Sequence, residues 1–188
     1  MIERQKREVS GAAGDDALVT TILFDSTSEM VHDRLPLGQV PLMTEKEYFA
    51  GGCTALLDAV GGAIDHVKNI HKYARKEDVP ARTLFVITTD GYENVSRVYD
   101  YEKVRSMIEE QKAKHGWEFL FLGANIDAAA EAARFGISAE NAVEYRCDER
   151  GTALNYEAIG DVVSCVRSCA PIDRKWKMRI EEDIKKRR

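Results

Sequence analysis

The chain has no apolar run near the roughly 18 residues that a membrane-spanning helix needs, and its charged opening, Met1-Ile-Glu-Arg-Gln-Lys6, lacks the apolar stretch of a secretory leader. The expected compartment is the cytoplasm, with no membrane partner. Cysteine is scarce, with 4 residues in 188. Cys53, Cys147, Cys165 and Cys169 show neither the density nor the spacing of a disulfide scaffold and read as reduced thiols. Cys165 and Cys169 lie one helical turn apart, but no CxxC and no histidine cluster accompanies them. A structural zinc takes four ligands, so none is expected there. Proline is equally rare, and Pro36, Pro41, Pro80 and Pro171 all fall at element edges. No repeat, low-complexity tract or linker divides the chain. The glycine signatures of phosphate binding, Gly-x-Gly-x-x-Gly after the first strand and Gly-x-x-x-x-Gly-Lys-Ser/Thr, are also missing. His32, His66, His71 and His115 are scattered with no nucleophile beside them, so no catalytic triad is expected.

With 44% hydrophobic and 31% charged residues over 188 positions, the chain is long enough for one well-buried core. Its formal charge of −5 is unevenly spread. Residues 174–188 carry eight Lys/Arg against Glu181, Glu182 and Asp183, a net of +5 that leaves −10 for residues 1–173. We therefore separate a domain over residues 1–170 from a basic helical tail over 171–188. The tail is expected to be a solvated amphipathic helix carrying Trp176, Met178, Ile180 and Ile184. The acidic body argues against nucleic acid as a partner.

Apolar strands alternate with helical segments along the chain. Residues 17–25 and 30–37 read as a hairpin, with Asp25-Ser-Thr-Ser-Glu29 as a turn in which Asp and Ser bond nearby amides. Leu56, Leu57, Val60, Ile64, Val67 and Ile70 recur at helical spacing, predicting a helix over 54–74. Residues 82–90 are almost continuously apolar, the pattern of a central parallel strand buried on both faces. A helix follows at 101–115, a strand at 117–123, an Ala-rich helix at 127–135 stopped by Gly136, a strand at 142–146 and a last helix from Gly151 toward Cys169. Asp58 and Asp65 are expected to face solvent or cap charge. The alternation predicts an α/β domain with right-handed crossovers.

Two stretches carry a resemblance. Gly-Gly-Cys-Thr-Ala-Leu-Leu-Asp-Ala at 51–59 opens a helix with a threonine beside it, and Phe-Val-Ile-Thr-Thr-Asp-Gly at 85–91 ends a strand in a carboxylate. Together they resemble the second and third parts of the metal-ion-dependent adhesion site of von Willebrand factor A (vWA) domains. Further similarity to a bacterial branch of that family runs through His32-Asp-Arg-Leu-Pro-Leu, Leu42-Met-Thr-Glu-Lys-Glu-Tyr, Thr88-Thr-Asp-Gly-Tyr-Glu-Asn and Trp117-Glu-Phe-Leu-Phe-Leu-Gly-Ala-Asn, over about residues 1–160. The resemblance implies a three-layer, Rossmann-like fold with a mostly parallel sheet and one antiparallel edge hairpin. The family's first strand and its Asp-x-Ser-x-Ser loop are missing. The opening residues look like the back half of the first helix, so that strand and loop are expected upstream of residue 1.

Carried over, Thr54 is the threonine ligand and Asp90 the distal aspartate, with Gly52, Gly91 and Asn94 on the same binding face. With one carboxylate left, no metal is expected to bind this chain tightly, and Mg²⁺ enters only if the missing loop is restored. The implied function is non-enzymatic protein–protein interaction through a degenerate metal site, with a partner the sequence does not name. Two alternatives stand beside it. One is a Rossmann-like enzyme that binds phosphate or nucleotide at the head of the 54–74 helix. The other is a purely structural interaction domain without metal, in which Thr54 and Asp90 hydrogen-bond each other. Loss of a central strand leaves the strands at 17–25 and 82–90 short of partners, and we expect them to pair directly, the alternative being a second copy of the chain that covers the exposed edge. Uncovered apolar helix surface points to a homodimer or larger assembly.

Overall fold

The described strands of this chain form two sheets. The protein is described by a computed structural model over residues 1–8, 17–42 and 52–187; Gly51 and residues 43–48, singled out above, lie outside the described residues. The elements run α1 (Ile2–Glu8), β1 (Leu18–Phe24), β2 (Ser28–Pro36), α2 (Leu56–Tyr73), β3 (Leu84–Thr89), α3 (Tyr101–His115), β4 (Glu118–Ala124), α4 (Ala128–Arg134), β5 (Ala142–Tyr145), α5 (Glu149–Arg167) and α6 (Met178–Lys186). The fold is mixed α/β. β3, β4 and β5 form a parallel sheet in sequence order, and β1 and β2 form a separate antiparallel hairpin.

Local chemistry sets the element ends. Asp100, Asp127 and Asp148 each accept a hydrogen bond from a backbone amide three residues on, opening α3, α4 and α5. Gly116 and Gly136 take the left-handed conformation that closes the helices before them, with φ of 64° and 72°. Because Asp148 caps α5, that helix starts two residues ahead of the expected Gly151.

Alternating residues of the parallel sheet feed two cores. Ile87, Phe119 and Phe121 meet Leu56, Leu57, Val60 and Ile64 of α2, with Val104, Ile108 and Phe135. Leu120, Leu122, Val143 and Tyr145 meet Ile159 and Val162 of α5 together with Trp176 and Ile180. The tail is thus not a solvated helix. Ile180 is 1% exposed, the Trp176 indole N–H donates to the Glu140 carbonyl at 3.1 Å, and Arg187 pairs with Asp148 and Asp183. An amphipathic helix needs an apolar wall, and β5 with α5 supplies one.

Two strand expectations change. Among the described residues, 82–90 do not form the central strand: β3 lies at the side of its sheet and β4 is flanked on both edges. β1 does not pair with β3; among the described residues it pairs only with β2. The hairpin register slips between Val19 and Ile22, and Arg34 opposite it has φ 51°, irregularities that twist a strand and blunt its free edge. Both strands are instead tied to the head of α2. The carbonyl of Asp25, just after β1, accepts from the Ala55 amide at 2.6 Å, and the loop after β3 bonds Thr54. A helix of about 10 Å diameter covers about two strand spacings of ~4.8 Å, so strands that share a helix need not be adjacent.

Candidate functional site

The C-terminal ends of β1 and β3 and the head of α2 converge. Thr54 and Asn94 hold each other by two bonds: the Thr54 amide donates to the Asn94 side-chain carbonyl at 2.9 Å, and the Asn94 amide donates to the Thr54 carbonyl at 3.1 Å. Gly91 lies against the threonine, since a Cβ built there would stand 3.5 Å from Thr54 Oγ1. Thr89 fixes that turn, its hydroxyl donating to the Gly91 carbonyl at 2.9 Å. Asp90 is exposed. Its carboxylate has no hydrogen bond or ion pair to a described residue, and it is not bonded to Thr54. Gly52 is exposed with open space around its Cβ position. Of the sequence-derived residues, Thr54 is therefore bonded to Asn94 and lies against Gly91, with Asp90 beside Gly91 in the chain and Gly52 standing apart.

Asp25 behaves as a turn residue, as expected. Its carboxylate accepts from the Thr27 amide at 2.9 Å and from the Ser26 hydroxyl at 3.2 Å.

Sequence reasoning missed a pair of carboxylates that clamp the loop after β3 onto α2. Glu93 accepts from the amides of Leu57, Val95 and Ser96 and from the Ser96 hydroxyl, all at 2.7–2.9 Å. Asp58 does not face solvent as a free charge: it accepts from the amides of Arg97, Val98 and Tyr99, each at 2.9 Å. Burial opposes ionisation of Asp58, but the three amides and the charge of Arg97 outweigh it and hold the carboxyl below the usual carboxylate range. Glu93 is held low in the same way, with burial again overcome by its amide and hydroxyl donors. Asp65, also expected at the surface, accepts from the Tyr99 hydroxyl at 2.7 Å. Only the short-range part of this, Glu93 serving amides two and three residues on, has a sequence signature. The bonds to α2 span some forty residues and have none.

The clamp decides what the head of α2 can bind. The amides of Thr54, Ala55, Leu57 and Asp58 are taken by Asn94, Asp25, Glu93 and Ser96. A phosphate arriving there would find four of its natural donors in use. For a metal, the site offers one hydroxyl and one carboxylate that no described residue pairs. Mg²⁺ requires near-octahedral oxygen coordination, and no group of three or more His, Cys, Asp or Glu among the described residues is arranged to hold an ion. The residues present do not complete a cation site on their own. No described helix is long and apolar enough to cross a membrane. Compared with protein-family models, curated proteins and solved structures, the chain has no match.

Proposed function

We propose that the chain is a vWA-like domain that works non-enzymatically, by protein–protein contact, through the loops carrying Gly52, Thr54, Asp90, Gly91 and Asn94. The observation that carries this reading is the joining of Thr54 to Gly91 and Asn94, which brings a hydroxyl to the loop that follows Asp90 at the carboxyl end of a parallel sheet. In this reading the architecture is three-layered and Rossmann-like, with β1–β2 as the antiparallel edge hairpin and a strand between β1 and β3 contributed from outside residues 1–188. A single carboxylate gives Mg²⁺ little hold, so the ion joins only with that strand and an acidic side chain of the partner. The domain acts in the cytoplasm as a homo-oligomer.

The occupied amides at the head of α2 favour this reading over a phosphate-binding enzyme. A purely structural interaction domain is the second reading, favoured by the Thr54–Asn94 bonds, which need no metal. The separating experiment fuses a strand bearing Asp-x-Ser-x-Ser ahead of residue 1 and titrates Mg²⁺ calorimetrically. Binding that appears in the longer chain and vanishes in Asp90→Ala supports the vWA-like reading. Equal Mg²⁺ affinity with and without the added strand sinks it, and a melting shift with nucleotide alone would favour the enzyme.

A further inference from the structure

The helix α1 is held to the rest of the molecule chiefly by polar groups. Of its seven residues only Gln5 is buried, and its one apolar residue, Ile2, is half-buried and belongs to neither core. Gln5 anchors α1 on α5. Its side-chain Nε2 donates to the Gly160 carbonyl at 3.0 Å and to Ser164 Oγ at 2.9 Å. Its backbone oxygen and its Oε1 each accept from the Arg167 guanidinium at 3.1 Å. Beside this anchor Arg4 pairs with Asp161 at 2.8 Å, and the Ser164 hydroxyl donates to Glu8 at 2.6 Å.

The same helix reaches the end of the hairpin. Lys6 Nζ donates to the Val40 carbonyl at 2.7 Å, and α1 lies against the short 3₁₀ turn Leu37–Gln39 that follows β2. α1 therefore ties the hairpin to α5. The hairpin has separate attachments on α2, where the Asp25 carbonyl takes the Ala55 amide and Asp33 pairs with His66 at 2.9 Å.

The two ties differ in strength. A helix of two turns does not hold its shape in water by itself, so α1 is helical only while docked. Apart from Gln5, what docks it is charge near solvent. The Arg4 and Asp161 side chains are 41% and 42% exposed, where an ion pair contributes little and salt screens it. A segment with few buried apolar contacts opens at a fraction of the cost of global unfolding. α5, by contrast, puts Ala158, Ile159, Val162 and Val166 into the core shared with β4 and β5.

We propose that α1 is a charge-held strap that undocks and unfolds as a unit while α5 and both sheets stay folded, leaving the hairpin to its contacts with α2. The strap thereby sets how far the hairpin can move relative to the parallel sheet. The proposal is independent of the function assigned to the Thr54 face.

Amide hydrogen exchange followed by NMR on the 188-residue chain tests it, with β4 as the internal reference. The amides of residues 5–8 should share one protection factor, lower than that of β4 by about a hundredfold or more. Raising NaCl from about 0.05 to about 0.5 M should lower it a further two- to fivefold, roughly the worth of an exposed ion pair, with β4 unchanged. Asp161→Asn, at an exposed position that folding tolerates, should lower it by a similar factor at low salt and remove most of the salt response. Gln5→Ala, which deletes the buried anchor, should abolish protection of α1. Residual dipolar couplings of the hairpin and of β3–β5 should fit one common frame in the wild type and no longer do so in Gln5→Ala. Residues 5–8 as protected as β4 would overturn the proposal, since α1 would then open only with the whole molecule, and residues 5–8 with no protection at all would show that it is not docked. Protection indifferent to both salt and Asp161→Asn would sink the role of charge. Couplings that keep one frame in Gln5→Ala would sink the strap.

Discussion

β3 and β4 are hydrogen-bonded neighbours of six and seven residues, both rich in large apolar side chains, and they lie in different surroundings. β4 runs between β3 and β5, and Phe119, Leu120, Phe121 and Leu122 are at most 1% exposed. β3 has β4 as its one strand partner among the described residues, and of its six residues only Ile87 and Thr89 are buried. An apolar run is enough to make a strand, but its depth depends on what pairs the second edge. What β3 lacks along that edge it receives at its end, where the loop of residues 91–100 is bound to α2 by Glu93, Asp58 and Asp65.

The sharpest way to break this comparison is to put a charge into each strand. Leu120→Asp buries a carboxylate in a fully buried apolar cluster, a cost of several kcal/mol that takes up most of a typical total stability of ~5–15 kcal/mol. Loss of cooperative folding is expected. Val86→Asp points into the same core from the neighbouring strand but from a half-buried position, so it should cost roughly half as much, still a heavy destabilisation. Urea unfolding of both variants decides the matter. Equal losses would mean that β3 is as enclosed as β4.

The clamp can be tested through two adjacent glycines of α2. A Cβ on Gly61 would stand 2.4 Å from Cδ1 of Tyr99, whereas one on Gly62 meets nothing within 4 Å. Gly61→Ala must push the tyrosine ring away from Asp65 and should cost about 1–3 kcal/mol in spite of alanine's better helix propensity. Gly62→Ala should stabilise by about 0.5–1 kcal/mol. Thermal melts that move in the same direction would remove Tyr99 from the support of β3.

These contrasts mark how far the residues could be read in advance. Every strand and helix of the parallel body follows from period and punctuation, and α3 was placed to the residue because Asp100 and Gly116 bracket it. The hairpin and its Asp25 turn were equally legible, since their bonds are local. The relation of β1 to β3 was not. Whether two strands pair depends on edge geometry and on the helix they share, and neither leaves a period in the sequence. The tail was misjudged for a similar reason: a stripe of Trp176 and Ile180 announces an apolar face without saying that β5 and α5 will cover it. At the candidate site, motif resemblance puts Thr54, Gly91 and Asn94 forward, and the structure brings Thr54 to each of the other two. Glu93 and Asp58 were missed because acceptors of backbone amides carry no spacing rule across forty residues.

Asp58 also gives the clamp a pH dependence. Its folded pKa lies below the unfolded value, so its contribution is fully present above the ordinary carboxylate pKa and is lost as pH falls through the depressed folded value. Asp58→Ala should cost about 1–3 kcal/mol at neutral pH by leaving three amides without an acceptor. The gap between wild type and variant should then narrow in strong acid, measured by urea midpoints across that range. A gap that persists unchanged below the folded pKa would assign the loss to packing rather than to the carboxylate.

Asp90 is the contrasting carboxylate, and it carries the smallest expected effect. It follows β3 directly, as the clamped loop does, but it is exposed and bonded to no described residue. Its removal takes away nothing that the fold uses, so Asp90→Ala should change stability by no more than about 0.5 kcal/mol. Millimolar Mg²⁺ should matter as little. With ligand near its Kd the linkage contributes only about 0.4 kcal/mol, and one carboxylate with one hydroxyl gives no reason for a tighter Kd. Melting curves of wild type and Asp90→Ala, each with and without Mg²⁺, should therefore nearly superimpose. A rise of many degrees with Mg²⁺ in the wild type, absent from the variant, would show that the hydroxyl of Thr54 and the carboxylate of Asp90 already suffice to hold the ion.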